Sequence, residues 1–389
     1  MQIEEPTATI DPSTAPIPVF QPYLGPEVQE AAVRALQAGW IGMGSLTARL
    51  EDELASYLEL SNRYVVATSS CTGALHCAFL QAGVGPGDEV ICPSFTYVAG
   101  HQAVTATGAE VVFADIDEST CGLDPDSVRA AISPRTKAIL VLHFAGIPAR
   151  SDEIYAIAAE HGLRVVEDAA HALGTRSDGR PIGSFGDLIC FSFGPVKIIT
   201  SLEGGAVVTG DQSDVQPLHE LRLVGVNKDT AERYKDQRTW EYDVVRQGFR
   251  YHLGSIPAAI GLSQLALIDT FVENRIEYCR GFNEAFRDLD GAIVPDTDFT
   301  DCGMFIYFLR VAGGDAQRTA LQKHLSDRGI ATGIHFPNAH HFTFLRDARR
   351  VELPVTELIA DQIVTLPLHS FMDDVVRERV IDGVRSFFS

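Results

Sequence analysis

Lysine is scarce: only Lys137, Lys197, Lys228, Lys235 and Lys323 occur, and arginine supplies most of the positive charge. The seven cysteines (Cys71, Cys77, Cys92, Cys121, Cys190, Cys279 and Cys302) are scattered and form no CxxC pair, so neither a zinc site nor a disulfide framework is indicated. Most sit in apolar contexts, as expected of buried thiols in a reducing compartment. No apolar run approaches the ~20 residues a membrane helix needs; the longest lies around residues 138–147. The N-terminus lacks the basic-then-apolar pattern of a signal peptide. No GxGxxG follows the first strand-like run, so a dinucleotide fold of that type is not expected. Basic residues are outnumbered 31 to 52, a formal charge of −21 that argues against nucleic acid or an anionic membrane as partner. A cytoplasmic location is the expectation. With 389 residues, 46% of them hydrophobic, the chain can bury a large core in two domains or in one domain with an appendage.

Against this background residues 165–211 stand out. Short apolar runs at 163–166, 188–193 and 206–209 read as buried strands, too brief for helices and bounded by Gly, Asp and Ser. Between the last two sits Lys197, flanked by Pro195-Val196 and Ile198-Ile199. The other four lysines have charged or polar neighbours. Burial disfavours a charged ammonium, and a neutral lysine amine is a nucleophile that can form a Schiff base with a carbonyl. The alternative is a lysine that snorkels from a strand end. Glu167-Asp168 ends a buried strand, where open α/β sheets gather ligand-binding groups. Asp168 there can pair with a protonated ring nitrogen, or it can cap a helix over Ala-Ala-His-Ala.

The flanking chain supplies a frame. Residues 1–16, rich in Thr, Pro, Ser and acidic residues, read as a mobile tail. Amphipathic helices are expected from about Gly25 to Gly39 and over 46–58, with Trp40 in the loop between them. A strand at 64–67 feeds Ser-Ser-Cys-Thr-Gly and a helix, the kind of helix start that can hold a phosphate. Strands then alternate with helices up to residue 160, which implies a largely parallel sheet covered on both faces. A polar excursion follows at 221–245, then a single long helix from about 256 to 286. The segment GIHFPNAHH (333–341) carries three histidines without helical metal spacing or nearby thiols, and no zinc site is expected there.

The run EDAAHA, GSFGD, CFSFGPVK, EGGAVVT closely resembles the signature region of the DegT/DnrJ/EryC1/StrS aminotransferases, which use pyridoxal 5'-phosphate (PLP) to aminate keto sugars on nucleotide carriers. The resemblance extends from about residue 18 to 388, with its specific motifs between 65 and 205. It implies fold type I of the PLP-dependent transferases, as in aspartate aminotransferase. A large PLP-binding domain with a mostly parallel sheet would span 17–275, and a small C-terminal α/β domain 276–389. It makes Lys197 the catalytic, cofactor-holding lysine and Asp168 the partner of the pyridine nitrogen. His171 falls near the cofactor's 3-hydroxyl and Tyr97 on the stacking aromatic, although a core tyrosine is the other reading. Thr72, Gly73 and Ser192 fall on phosphate contacts. Trp40 and His335 fall near the substrate. Where the family shows G-x-N-x-R-M, this chain has Gly248-Phe249-Arg250-Tyr251-His252-Leu253, so Arg250 would reach the partner's cofactor phosphate in a homodimer with a shared site. The implied reaction converts a nucleotide-linked keto-deoxy sugar to an amino sugar, with glutamate as donor. Two rivals stand beside it: amination of a cyclitol ketone, and a cofactor-free binding or regulatory relative. A sugar dehydratase of this family would carry histidine in place of Lys197.

Overall fold

A computed structural model describes residues 14–227 and 242–389. The tail read at 1–16 therefore lies outside the described residues except for its last three, as does the middle of the excursion at 221–245. The N-terminal half runs α1 (Pro26–Gln37), α2 (Ser45–Tyr57), β1 (Tyr64–Thr68), α3 (Cys71–Gln81), β2 (Glu89–Pro93), α4 (Ala99–Ala106), β3 (Glu110–Ala114), α5 (Pro125–Ala131), β4 (Thr136–Leu142), α6 (Ser151–His161) and β5 (Arg164–Asp168). A small hairpin, β6 (Arg176–Ser177) and β7 (Arg180–Pro181), leads into β8 (Leu188–Ser192), β9 (Gly205–Thr209) and α7 (Gln212–Arg222). After the undescribed stretch come α8 (Ser255–Leu265), α9 (Ile268–Phe286), β10 (Ala292–Ile293), β11 (Tyr307–Val311), α10 (Gly314–Ser326), β12 (Arg349–Arg350), α11 (Pro354–Gln362), β13 (Ile363–Leu366) and α12 (Asp374–Phe388).

The large sheet has the order β1-β9-β8-β5-β4-β2-β3-β12, and β9 alone runs against its neighbours. Its strands are short apolar runs such as Leu188–Ser192 with every residue buried, the pattern of a parallel sheet covered on both faces. Fold type I, a mixed α/β fold with a large, mainly parallel sheet, is the architecture the motifs implied. Gly205 opens β9 directly against the backbone at the start of α3; a Cβ there would lie 2.6 Å from the Cys71 nitrogen, so only glycine lets the strand approach.

The smaller layer is the antiparallel sheet β10-β11-β13, packed with α10, α11 and α12. The expected border at 275/276 falls in mid-α9, a continuous helix whose Phe271 and Phe282 both belong to one core shared by the two layers. The C-terminal half also returns to the large sheet, where β12 pairs with the edge strand β3. The N-terminal segment in turn reaches the chain after α10, where Ile17 forms an isolated parallel bridge to Ile330.

The long helix expected over 256–286 is two helices, α8 and α9, bent by 57°. No proline or glycine sits at the break; Leu267, at φ −110° and ψ 2°, ends the first ladder so that α8 lies on α1 and α2 while α9 runs to α12. Among the described residues no single helix is long and apolar enough to cross a membrane; α8 and α9 meet that length and composition only as the bent pair.

Candidate active site

The carboxyl ends of β1, β2, β5 and β8 converge on a cavity of about 460 Å³, the place where open α/β sheets bind ligands. Lys197 stands on the β8–β9 connection, which is pinned at both ends: the Phe193 N–H donates to the Gly204 carbonyl at 2.9 Å, and the Ser201 N–H to the Phe193 carbonyl at 2.9 Å. Its apolar flanks divide, with Ile198 and Ile199 buried in the core and Pro195 and Val196 exposed. This arrangement anchors the loop and points the lysine amine inward, 4.1 Å from the centre of the Phe305 ring. Burial lowers the Lys197 pKa to about 8, opposed by the nearby Asp168 carboxylate.

Asp168 ends β5 and is buried, and burial raises its pKa against the pull of the Ala170 N–H and of Lys197. Its Oδ1 accepts from the Ala170 N–H at 3.0 Å. No helix follows, so this is a local turn and not the helix cap that the sequence left open. Among the described residues no salt bridge holds this carboxylate.

The neighbouring Glu167 points the other way and is fully satisfied. His143 Nδ1 accepts the Ala149 N–H at 3.1 Å, so its proton sits on Nε2 and is donated to Glu167 Oε2 at 2.7 Å. The Tyr155 hydroxyl donates to Glu167 Oε1 at 2.5 Å and accepts the Asp187 N–H at 2.7 Å. Both His143 and Glu167 are completely buried.

His171 lies in the cavity wall against the rings of Phe305 and Phe336, at centroid distances of 4.4 and 5.8 Å. Burial, then Lys197 and His335, hold its pKa well below the ordinary value. Its Nδ1 accepts the Ala145 N–H at 3.3 Å, which leaves the ring proton on Nε2. His335 is pushed down to about 4 by burial and by Lys197, and its Nδ1 pairs with Thr365 Oγ1 at 2.8 Å. Across the cavity, Ser70 caps α3 through the Gly73 N–H, and Cys71 and Thr72 form the first turn. First-turn N–H groups have no partner within a helix and favour an anion.

Of the residues singled out in the sequence, Thr72, Tyr97, Asp168, His171, Ser192, Lys197 and His335 line this one cavity. Gly73 does not: its N–H is given to Ser70, and its missing Cβ accommodates the Tyr251 ring at 3.1 Å. Arg250 is exposed and outside the cavity of its own chain. Its segment runs beside α3, with the Ser69 N–H on the Tyr251 carbonyl and His252 bridged to Thr68. Trp40 lines a different hollow, between α1, α2 and α8, and its indole donates to the Met43 carbonyl at 3.0 Å.

Sequence reading missed the aromatic wall: Phe20 stacked on Phe305 at 5.3 Å, with Phe336 beside Tyr97 at 6.0 Å. It also passed over Thr96 and Glu203 as lining residues. Glu203 opens the EGG run and carried a signal in the motif; the phenylalanines read as ordinary core.

A desolvated amine with a pKa near 8, a buried carboxylate in no salt bridge among the described residues and a polar helix start thus face one cavity. These suit the aldehyde, ring nitrogen and phosphate of PLP. Residues 22–385 match the model of the DegT/DnrJ/EryC1/StrS aminotransferase family. The chain belongs to that family. This enzyme is therefore a PLP-dependent aminotransferase. It is similar to the aminotransferase TlmJ of Streptoalloteichus hindustanus, at 32% identity and a TM-score of 0.88 over 95% of this chain and 98% of that one. It is similar to S. venezuelae DesV, solved in complex with a ketimine intermediate, at 34% identity and a TM-score of 0.86 over 96% and 98%. The sugar aminotransferase CalS13 of Micromonospora echinospora matches at 29% identity and a TM-score of 0.86 over 95% and 99%.

Proposed function

We propose that this enzyme aminates a nucleotide-linked keto-deoxy sugar with glutamate as donor, in the cytoplasm, as a homodimer whose two sites are each completed by the partner. The observation that carries the catalytic part is the meeting of Lys197 and Asp168 in one cavity. Lys197 would hold PLP covalently, Asp168 would face its ring nitrogen, and Thr72 and Ser192 would take the phosphate. Bound there, PLP supplies an electron sink for the substrate carbon that gains or loses a proton.

The rest is done by the chain. The Lys197 amine, near pKa 8 and therefore easily unprotonated, takes and returns that proton. Asp168, in no salt bridge among the described residues, would keep a proton on a ring nitrogen bound beside it. His171, neutral and protonated on Nε2, presents a donor and not a charge. Phe20, Phe305 and Phe336 close one side of the cavity with apolar surface, which excludes water and strengthens each polar contact inside. The dimer is supported by Arg250, a phosphate-binding residue type exposed on a segment that borders the start of α3 yet stays outside its own cavity.

The test is a screen of nucleotide-linked keto sugars with glutamate, read by mass spectrometry for the amino sugar and by assay for 2-oxoglutarate. Amination of free cyclitol ketones in preference to every nucleotide sugar would overturn the substrate assignment and leave the lysine chemistry standing.

A further inference from the structure

The segment 333–341 reaches the cavity with His335 and Phe336, then turns away and delivers its last two histidines to a carboxylate on α11. His340 Nε2 lies 2.7 Å from Glu357 Oε1, and His341 Nε2 lies 3.3 Å from the same oxygen. The three ligand atoms fall within 4.8 Å of one another. Against the expectation from the segment alone, which lacks the distant Glu357, we propose that His340, His341 and Glu357 form a binding site for a divalent cation of the zinc type, outside the catalytic cavity.

The donor set decides the class of ion. Two imidazoles and one carboxylate suit borderline cations such as Zn²⁺, Co²⁺ or Ni²⁺, and not the hard, oxygen-seeking Mg²⁺ or Ca²⁺. Ligands about 2.0–2.1 Å from a tetrahedral ion stand about 3.3 Å apart. The His341–Glu357 separation already has that value, and the His340–Glu357 contact has to open by about 0.6 Å.

Two of the three ligands, His340 and Glu357, are each held from behind by a further hydrogen bond, as metal sites require. His340, only 5% exposed, has Nδ1 at 2.8 Å from Ser94 Oγ. With a cation on Nε2, the ring proton sits on Nδ1 and is donated to that hydroxyl, so His340 stays neutral and no proton is lost from it. Asn338 donates to Glu357 Oε2 at 2.9 Å and leaves Oε1 to the ion. Asn338 is 6% exposed, and its own Oδ1 has no hydrogen-bond partner among the described residues. Approach from solvent is open through His341 and Glu357, whose side chains are 63% and 46% exposed. The fourth position is free for water, as in zinc sites with three protein ligands.

The site also ties together two walls of the cavity. Ser94 begins the stretch that carries Thr96 and Tyr97, and the Ala339 N–H donates to its carbonyl at 3.1 Å. A cation on His340 therefore braces Tyr97 from one side and His335 with Phe336 from the other.

Holoenzyme stripped with EDTA and titrated with ZnCl₂ by calorimetry should bind one ion per chain and unfold at higher temperature once loaded. Magnesium chloride at the same concentration should give neither effect. His341→Ala and Glu357→Gln change exposed side chains and should each weaken zinc binding at least tenfold, with the melting shift lost. Zinc bound with the same affinity by wild type and both variants would place the ion on other groups and overturn the site, as would absence of binding to the wild type. Both readouts are independent of turnover, so they stand whatever the sugar substrate proves to be.

Discussion

Glu167 and Asp168 are adjacent carboxylates on one strand, and they meet opposite fates. Glu167 enters a sealed compartment where His143 and Tyr155 satisfy both oxygens. Asp168 enters a cavity where a single backbone N–H meets it and burial raises its pKa. A buried carboxylate normally collects hydrogen-bond partners for both oxygens. The one that has done so is holding the fold together, and the one that has not is reserved for a ligand.

The most severe way to break this contrast is to empty the cavity side. Lys197→Ala should abolish transamination with the fold intact, and borohydride treatment of the wild type should fix the cofactor to the peptide containing Lys197. Label on Lys137 or Lys323 would show that the wrong amine has been chosen. Next in size is the carboxylate pair itself. Asp168→Asn removes the charge that keeps the ring nitrogen protonated and should slow turnover by orders of magnitude, several kcal/mol in barrier. Glu167→Gln should do the reverse, lowering stability by about 1–3 kcal/mol for a compromised buried hydrogen-bond pair while the folded fraction keeps its turnover. Equal losses of activity in the two variants would erase the division of labour.

A smaller effect is expected at the subunit boundary. Arg250→Ala should weaken cofactor retention about tenfold, the scale of one charge-assisted hydrogen bond. At a cofactor concentration that leaves Arg250→Ala largely empty, mixing it with inactive Lys197→Ala chains should then raise activity above that of either alone, because one site in each mixed dimer carries neither lesion. A fully active Arg250→Ala enzyme, or an active monomer by light scattering, would remove the cross-subunit role.

The mildest test is by pH. Lys197 titrates near 8 in the folded apoenzyme against 10.5 for an ordinary lysine. Between those values the unfolded chain binds a proton that the folded chain does not, so stability rises with pH across that window. Relative to Lys197→Met, the apoenzyme should therefore gain stability on going from about pH 8 to about 10.5. A flat difference in urea unfolding across that range would mean the amine is not desolvated.

Legibility in the sequence followed the distance along the chain over which a residue's role is decided. Asp168, His171, Ser192 and Lys197 come from one short strip in which strand ends, turns and the lysine loop follow each other directly, so motif and geometry coincide. Phe20, Phe305 and Phe336 meet in the cavity from distant segments, and nothing local separates them from core phenylalanines such as Phe282. Gly73 shows the reverse case: its place in the motif implies a ligand contact, while the geometry gives it a packing role, the space it leaves being filled by Tyr251 from the far side of a long connection. The break at Leu267 escaped notice because no residue there opposes a helix; the packing of α8 on α1 and α2 imposes it.

The bridge between Ile17 and Ile330 bears on the order in which this enzyme becomes competent. The Ile17 N–H donates to the Gly329 carbonyl at 2.8 Å and the Ala331 N–H to the Ile17 carbonyl at 2.9 Å, and this pairing stations Phe20 over Phe305. During synthesis Phe20 leaves the ribosome long before either of those partners exists. The strip around Lys197 and Asp168 can assemble on the growing chain, since its strands are all made by residue 209. The wall that closes the cavity waits for residues beyond 330, so the first cavity residue to be translated is among the last to reach its place.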